Sequence, residues 1–300
     1  MQNMLPENSF PQIWVVSEIC VDVITFGAMS ICVAFNLSDG VIMAVDSAIT
    51  MFDPDGTITK VFLDAEKIFR LKEMRVGIAT YGLASLHGRT LGSFIREFTA
   101  APENADLDTL PLSEVVERLR RFVFAYYVTH LEQRHSLPFA DIPDTQKGNL
   151  GLVVGGFSFG SLQSELWEIV IPIHSSNNSA VQHFGPGQYG CTWFALAAPI
   201  QRYANALDLN LSAKFKVIFE DILGRDLTDE EKARFLAAVE ECRYRFNFDG
   251  MPIQSGIDYA RFLVDIVLGH YRLVETHPIV GGTVRIGVVT YDQNAFRIIA

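Results

Sequence analysis

What this 300-residue chain has little of narrows its chemistry first. It carries only four cysteines, Cys20, Cys32, Cys191 and Cys242, all far apart. No Cys-x-x-Cys pair or Cys/His spacing is present, so nothing suggests zinc, and four thiols in a chain of this length make no disulfide framework. No lysine or arginine precedes Lys60. The apolar stretch IWVVSEICVDVITFGA therefore lacks the basic segment of a signal peptide, and Glu18 and Asp22 interrupt it. No uncharged apolar run approaches the ~18 residues of a membrane-crossing helix. There is no block of like charge, no internal repeat and no low-complexity segment. A formal net charge of −11 argues against nucleic acid or an anionic membrane as partner. These absences imply a cytoplasmic protein with reduced thiols, no cofactor and no metal. His87, His130, His135 and His270 fall on or near helical patterns, and their default role is a surface or hydrogen-bonded histidine.

What is present is apolar residue, 49% of the chain, enough for a sizeable core. ICVAFNL and VIMAVDS flank Ser38-Asp39-Gly40, a strong hairpin signal. Neither run alternates, which predicts strands buried on both faces. MFDPDGTIT reads as a loop or second turn. KIFRL and VGIATYG predict another strand pair, turned at Lys72-Glu73-Met74. Helical spacing follows over Ala84–Phe98 and over Ser113 to about Arg134. LGLVVGGF and SELWEIVIP predict a third strand pair. VQHFGPGQYG reads as a strand entering a glycine-rich turn, with helix from about Cys191 to Leu207. No Lys-Ser/Thr follows that turn, so a phosphate loop is disfavoured. Residues 209–250 look like a helical insertion, with a capping box from Thr228 to Glu231. A helix over SGIDYARFLVDIVLGHY and strands in GTVRIGVVTYD and AFRII close the chain. Strands, helices, strands, helices, strands in that order predict α+β with antiparallel sheets covered by helices.

ICVAFNLSDGVIMAVDS resembles the opening of proteasome β-type subunits, the N-terminal-nucleophile hydrolases that include bacterial ring proteases. EKIFRL followed by VGIATYGLAS resembles that family's next block, and GNLGLVVGGF, HFGPGQYG and VGGTVRIGVVT match later blocks more loosely. The resemblance spans roughly residues 29–205 and 252–299. It implies a four-layer αββα sandwich of two antiparallel sheets and self-assembly into a ring or stack. It also implies peptide or unfolded protein as substrate, with an unfoldase as a possible partner.

The same resemblance implies a catalytic hydroxyl at the first residue of the mature chain, which falls on Ser30. Its acidic partner falls on Asp46, its lysine on Lys67 and its oxyanion-binding glycine on Gly82. Each residue also has an ordinary reading: Ser30 as the start of a strand, Asp46 as a turn cap, Lys67 as a strand-edge lysine, Gly82 as a turn glycine. Several positions depart from the family pattern. Serine replaces its usual threonine, Ala48 its arginine, and its supporting polar residues align near Gln188, His277 and Val280. Residues 1–29 are expected to be a propeptide or an over-extended translation start, since Met29 is itself a possible start residue. Residues 30–300 are expected to form the hydrolase domain, with the insertion at about 209–250. An inactive structural subunit of such a ring, or a non-proteolytic amide hydrolase of the same class, are the alternative functions.

Overall fold

The computed structural model describes residues 30–52, 58–171, 179–244, 246–274 and 280–299. The expected propeptide, Cys20 and His277 lie outside the described residues. β1 (Ile31–Leu37) and β2 (Gly40–Val45) form the expected hairpin, with Leu37 paired to Gly40 and Cys32 to Val45. All residues of both strands are buried, which is why the two runs are continuously apolar. On either side of residues 53–57, the middle of the stretch read as a loop or second turn and outside the described residues, β3 (Ile49–Phe52) and β4 (Ile58–Phe62) pair with each other. β5 (Ile68–Arg70) and β6 (Val76–Gly82) pair as expected.

Two helix expectations need correction. Ala84–Phe98 is not one helix. β7 (Ser85–Leu86) and β8 (Arg89–Thr90) make a tight hairpin, and α1 begins only at Leu91 and runs to Ala100. His87 (φ 50°) and Gly88 (φ 72°) both sit in the left-handed region, which a right-handed helix cannot accommodate. α2 (Leu112–His135), β9 (Leu150–Phe157), β10 (Ser164–Ile171) and β11 (Ser179–Phe184) fall where their patterns place them. The expected Cys191–Leu207 helix instead splits into β12 (Gly190–Ala195) and the shorter α3 (Ala198–Asn205). Ladder pairing of β12 with β1 outweighs the local helical spacing, as tertiary context commonly does. α4 (Leu209–Leu223) and α5 (Asp229–Glu241) make the helical insertion. α6 (Ile253–Val274), β13 (Arg285–Thr290) and β14 (Arg297–Ile298) complete the chain.

The fold is α+β, a four-layer αββα sandwich. One sheet has the order β12-β1-β2-β13-β14 and the other β11-β10-β9-β6-β5, with every pairing antiparallel. Leu263, Val264 and Val267 of α6 and Ile200 of α3 pack on Ile31, Val33 and Phe35 of the first sheet. Phe94 and Phe98 of α1 and Leu119 and Val123 of α2 pack on Ile78, Leu152 and Ile169 of the second. Between the sheets lie Cys32, Met43, Val45, Ile68, Ala79, Val153, Leu166 and Phe296. The alternation of side chains along each strand thus feeds two cores at once.

Phe296 joins the two sheets. Its ring is fully buried, and a Cβ on either Gly77 of β6 or Gly287 of β13 would fall 2.2 Å from it. Glycine on both facing strands opens the slot that the ring fills. Phe296→Ala is expected to destabilise the protein by about 3–5 kcal/mol, read from the midpoint of urea unfolding. Gly287→Ala is expected to destabilise by about 1–3 kcal/mol through overpacking, and less than that in a Phe296→Leu background.

Candidate active site

Three of the residues singled out in the sequence meet at one end of the sandwich. Ser30 immediately precedes β1, and its carbonyl accepts the Leu196 N–H at 3.0 Å. Asp46 immediately follows β2, so hairpin register alone brings it beside the start of β1. Lys67 immediately precedes β5 in the other sheet, where its carbonyl accepts the Thr80 N–H at 2.9 Å. The Lys67 side chain crosses the gap between the sheets. Its Nζ donates to Asp46 Oδ1 at 2.7 Å and to Ser30 Oγ at 3.0 Å. Ser30, Asp46 and Lys67 are all buried, with 3%, 0% and 5% of their surface exposed.

The carboxylate of Asp46 is fully engaged. Oδ1 accepts from Lys67 and from the Ile31 N–H at 3.2 Å. Oδ2 accepts from the N–H groups of Ala48 at 3.2 Å and Gly281 at 3.3 Å. One buried anion thus holds the start of β1, the end of β2, the lysine of the opposite sheet and the 280–284 segment. A buried charge needs such partners, because desolvation costs several kcal/mol per ion. Lys67, with three donor hydrogens and no acceptor, presents one of them to the serine oxygen. The hydroxyl proton of Ser30 is then left for some other acceptor.

Gly82 ends β6, two residues beyond Thr80. Its φ is +81°, and a Cβ there would lie 2.2 Å from the Asn149 carbonyl oxygen. Only glycine fits that turn. Gly82 is linked to the cluster through Thr80, not by a hydrogen bond of its own to Ser30, Asp46 or Lys67.

Reading the sequence missed a supporting set. Ser47 Oγ donates to the Leu63 carbonyl at 2.6 Å and accepts the Thr283 N–H at 2.8 Å. Its own N–H donates to the Gly281 carbonyl at 3.1 Å. Gly282, with φ +75°, lies so close that a Cβ would fall 2.1 Å from the Leu63 oxygen. The signal for this was the Gly281-Gly282-Thr283 run itself, a strand entry with no room for side chains. It docks against Ser47 from 236 positions away, a separation that no local pattern reveals.

The positions where polar support was expected behave differently. Val280 is buried with the core under α6. Ala48 is buried and contributes its backbone N–H to Asp46. Gln188 is not at the site. Its carbonyl accepts from Asn36 Nδ2 at 2.7 Å, and its side chain accepts the Gly185 N–H at 2.8 Å. Asn36 lies six residues along β1 from Ser30, roughly 20 Å at ~3.3 Å per residue. The segment that does meet Ser30 is Ala195–Leu196–Ala197, where Ala195 takes a left-handed φ of 68°. Assigning helix from Cys191 hid it.

Cys32 is another potentially nucleophilic side chain close by. Burial pushes its thiol pKa up, aided by the carboxylates of Glu168 and Asp46 and opposed by Lys67. It remains a thiol, inert as a nucleophile. Among the described residues no group of three or more His, Cys, Asp or Glu is arranged to hold a metal ion. No helix among them is long and apolar enough to cross a membrane.

No protein-family model matches this sequence, and no curated protein matches it. Among solved structures, the Anbu (Gly-1) mutant from Hyphomicrobium sp. strain MC1 is similar to this chain. The TM-score is 0.44 and the identity 11%, covering 90% of this chain and 86% of that one. At that score the likeness carries no weight for the chemistry of the site.

The Asp46 geometry yields a direct expectation. Asp46→Asn replaces one acceptor oxygen by a donor facing N–H groups or an ammonium, and it strands Lys67 without a counter-charge. Breaking a buried pair from one side costs about 3–5 kcal/mol. Urea unfolding of Asp46→Asn is expected to show a loss of that order, far more than Asp64→Asn on the exposed surface.

Proposed function

We propose that this chain is a proteasome-like peptidase that uses Ser30 as an N-terminal nucleophile. The observation that supports it is the buried Ser30–Lys67–Asp46 chain of hydrogen bonds across the two sheets. The residues are those that the family resemblance names. In this reading residues 1–29 are removed or never made, and residues 30–300 form the hydrolase domain with its insertion. The protein is cytoplasmic and bacterial, assembles with itself into a ring or stack, and takes peptide or unfolded protein, with an unfoldase as a further partner.

The mechanism follows from what each group offers. A serine hydroxyl is a weak nucleophile and needs a base. With Ser30 first in the chain, its free α-amine, whose ordinary pKa is about 7.7–8.0, takes the hydroxyl proton. Oγ then forms a bond to the substrate carbonyl carbon, and the carbonyl π pair moves onto oxygen. Lys67 supplies positive charge beside Oγ, and Asp46 orients Lys67. The Gly82 N–H stabilises the tetrahedral oxyanion, and such a donor is worth roughly 2.7–4 kcal/mol in comparable sites. Collapse expels the amine product, which carries away the proton held by the α-ammonium. Water then hydrolyses the Ser30 ester by the same proton path.

A second reading, an inactive structural subunit, draws on the apolar Val280 and Ala48 beside the site, where the resemblance leads one to expect polar support. A third is hydrolysis of a small amide by the same groups. The gene expressed from Met1 and from Met29 separates these. Intact mass and N-terminal sequencing are expected to show Ser30 as the first residue of the active form. Ser30→Ala is expected to abolish peptide turnover and Lys67→Ala to lower it on the order of 10²-fold or more, with the fold retained. A stable, active protein keeping residues 1–29 would refute the mechanism. A free Ser30 amine without turnover supports the structural subunit, and turnover of small amides alone supports the third reading.

A further inference from the structure

The insertion presents a surface that the sandwich does not use. α4 and α5 are firmly specified as helices. Asp208 caps α4 by accepting the Leu211 N–H, Gly224 closes it in the left-handed region, and Thr228 and Glu231 form a complete capping box on α5. The Arg225 guanidinium and the Thr228 groups hold the Glu231 carboxyl down at about 2. Yet no residue of α5 is buried, and no described side chain of α4 is. The two helices touch through Phe215 and Phe219 against Phe235, at ring distances of 6.1 and 5.7 Å. Beside that contact Val217, Ile218 and Ile222 stand 64%, 51% and 72% exposed. Helices without a buried face gain little from propensity alone, and contiguous exposed apolar residues mark an interaction surface.

Two features of α4 say what covers it. Leu211, Phe215, Ile218 and Ile222 are spaced four, three and four apart, the interval of a seam that packs against another helix. The charges run in one order along the helix: Lys214 and Lys216 in its first half and middle, Glu220 and Asp221 in its last turns. Carboxylates near a helix C-terminus face the negative end of its dipole, so this order is unfavourable within α4 itself. It becomes favourable beside an antiparallel copy. A two-fold axis between Lys216 and Val217 sets Leu211 against the partner's Ile222 and Phe215 against the partner's Ile218. It also brings Lys214 next to the partner's Asp221 on the same flank of the seam, while Lys216 and Glu220 lie away from the seam, 3.9 Å apart within one helix. The same patch serves both subunits, as a two-fold contact requires.

We propose that the exposed face of α4 is an antiparallel, two-fold contact with a second copy of this chain. The contact is self-complementary in apolar spacing and in charge, and it does not depend on the catalytic reading. The test uses the full-length chain in sedimentation equilibrium, with far-UV circular dichroism to confirm that the helices persist. Lys214→Glu with Lys216→Glu gives an acidic helix, and Glu220→Lys with Asp221→Lys gives a basic one. Each double variant alone is expected to raise the dissociation constant of self-association on the order of tenfold or more, because like charges then oppose one another. An equimolar mixture of the two is expected to restore association to the wild-type level or tighter. Ile222→Asp is expected to weaken it in every background. A wild-type chain that stays monomeric at micromolar concentration would overturn the proposal. So would helical variants that associate as the wild type does, or a mixture that associates no better than its components.

Discussion

The structure turns on one ion pair that spans the gap between two sheets. Lys67 belongs to one sheet and Asp46 to the other, and they meet at 2.7 Å with almost no exposure. Hydrophobic packing holds sheets together but does not fix their offset, because apolar contact is non-directional. A lysine and an aspartate with five defined side-chain hydrogen bonds are directional. The inter-sheet core formed by Met43, Ile68, Ala79 and Phe296 contributes the burial free energy. The ion pair selects which of the packed arrangements leaves no charge unpaired. Such a pair adds little net stability, since its desolvation cost is offset only when the geometry is right.

That constraint also explains the location of the nucleophile candidate. Ser30 contributes no apolar burial, and an isolated serine before a strand would ordinarily face solvent. Here Ile31 donates its N–H to the same carboxylate that holds Lys67. The Ser30 carbonyl is taken by Leu196. With the groups on both sides of its Cα fixed, Oγ is carried to within 3.0 Å of the lysine nitrogen. Gly281, Thr283 and Ser47 then brace Asp46 and the segment behind it.

The two sheets were legible in the sequence because their signals are local. Asp39-Gly40 between two continuous apolar runs specifies a hairpin, and full burial of ICVAFNL and VIMAVDS follows from the absence of alternation. The pairing of Asp46 with Lys67 was not legible from spacing or composition. It came from a resemblance, and the bare residues allowed a turn cap and an edge lysine equally well. β12 was misread because Cys191, Phe194 and Ala195 repeat at a helical interval. What makes the segment a strand is the open edge of β1, which lies 162 positions away in the pairing of Phe194 with Cys32. The expectation at Gln188 came from the family resemblance, and the strand explains why it is not at the site. Once Gly190–Ala195 is a strand, the glycine turn sits at the far end of β1 and the next turn, at Ala195–Ala197, reaches the site.

The hydrogen bonds around Lys67 bear on which group acts as base. A serine–lysine dyad needs the lysine nitrogen to present a lone pair to the hydroxyl proton. Here Nζ pairs with the Asp46 carboxylate at 2.7 Å and lies 3.0 Å from Oγ, an arrangement suited to an ammonium that donates to both. Asp46 cannot accept it either, since both its oxygens are turned toward other donors. Cys32 is a buried thiol. No histidine shares a hydrogen bond with Ser30 among the described residues. In the proposed mechanism the base is the one the family resemblance implies, the nitrogen of Ser30 itself, which serves as a base only when it is an amine. An amide nitrogen has its lone pair delocalised into the carbonyl. The proposed chemistry and the proposed chain start are for that reason a single hypothesis. In that proposal, the hydroxyl beside the buried lysine and aspartate is activated only in a chain whose first residue is Ser30.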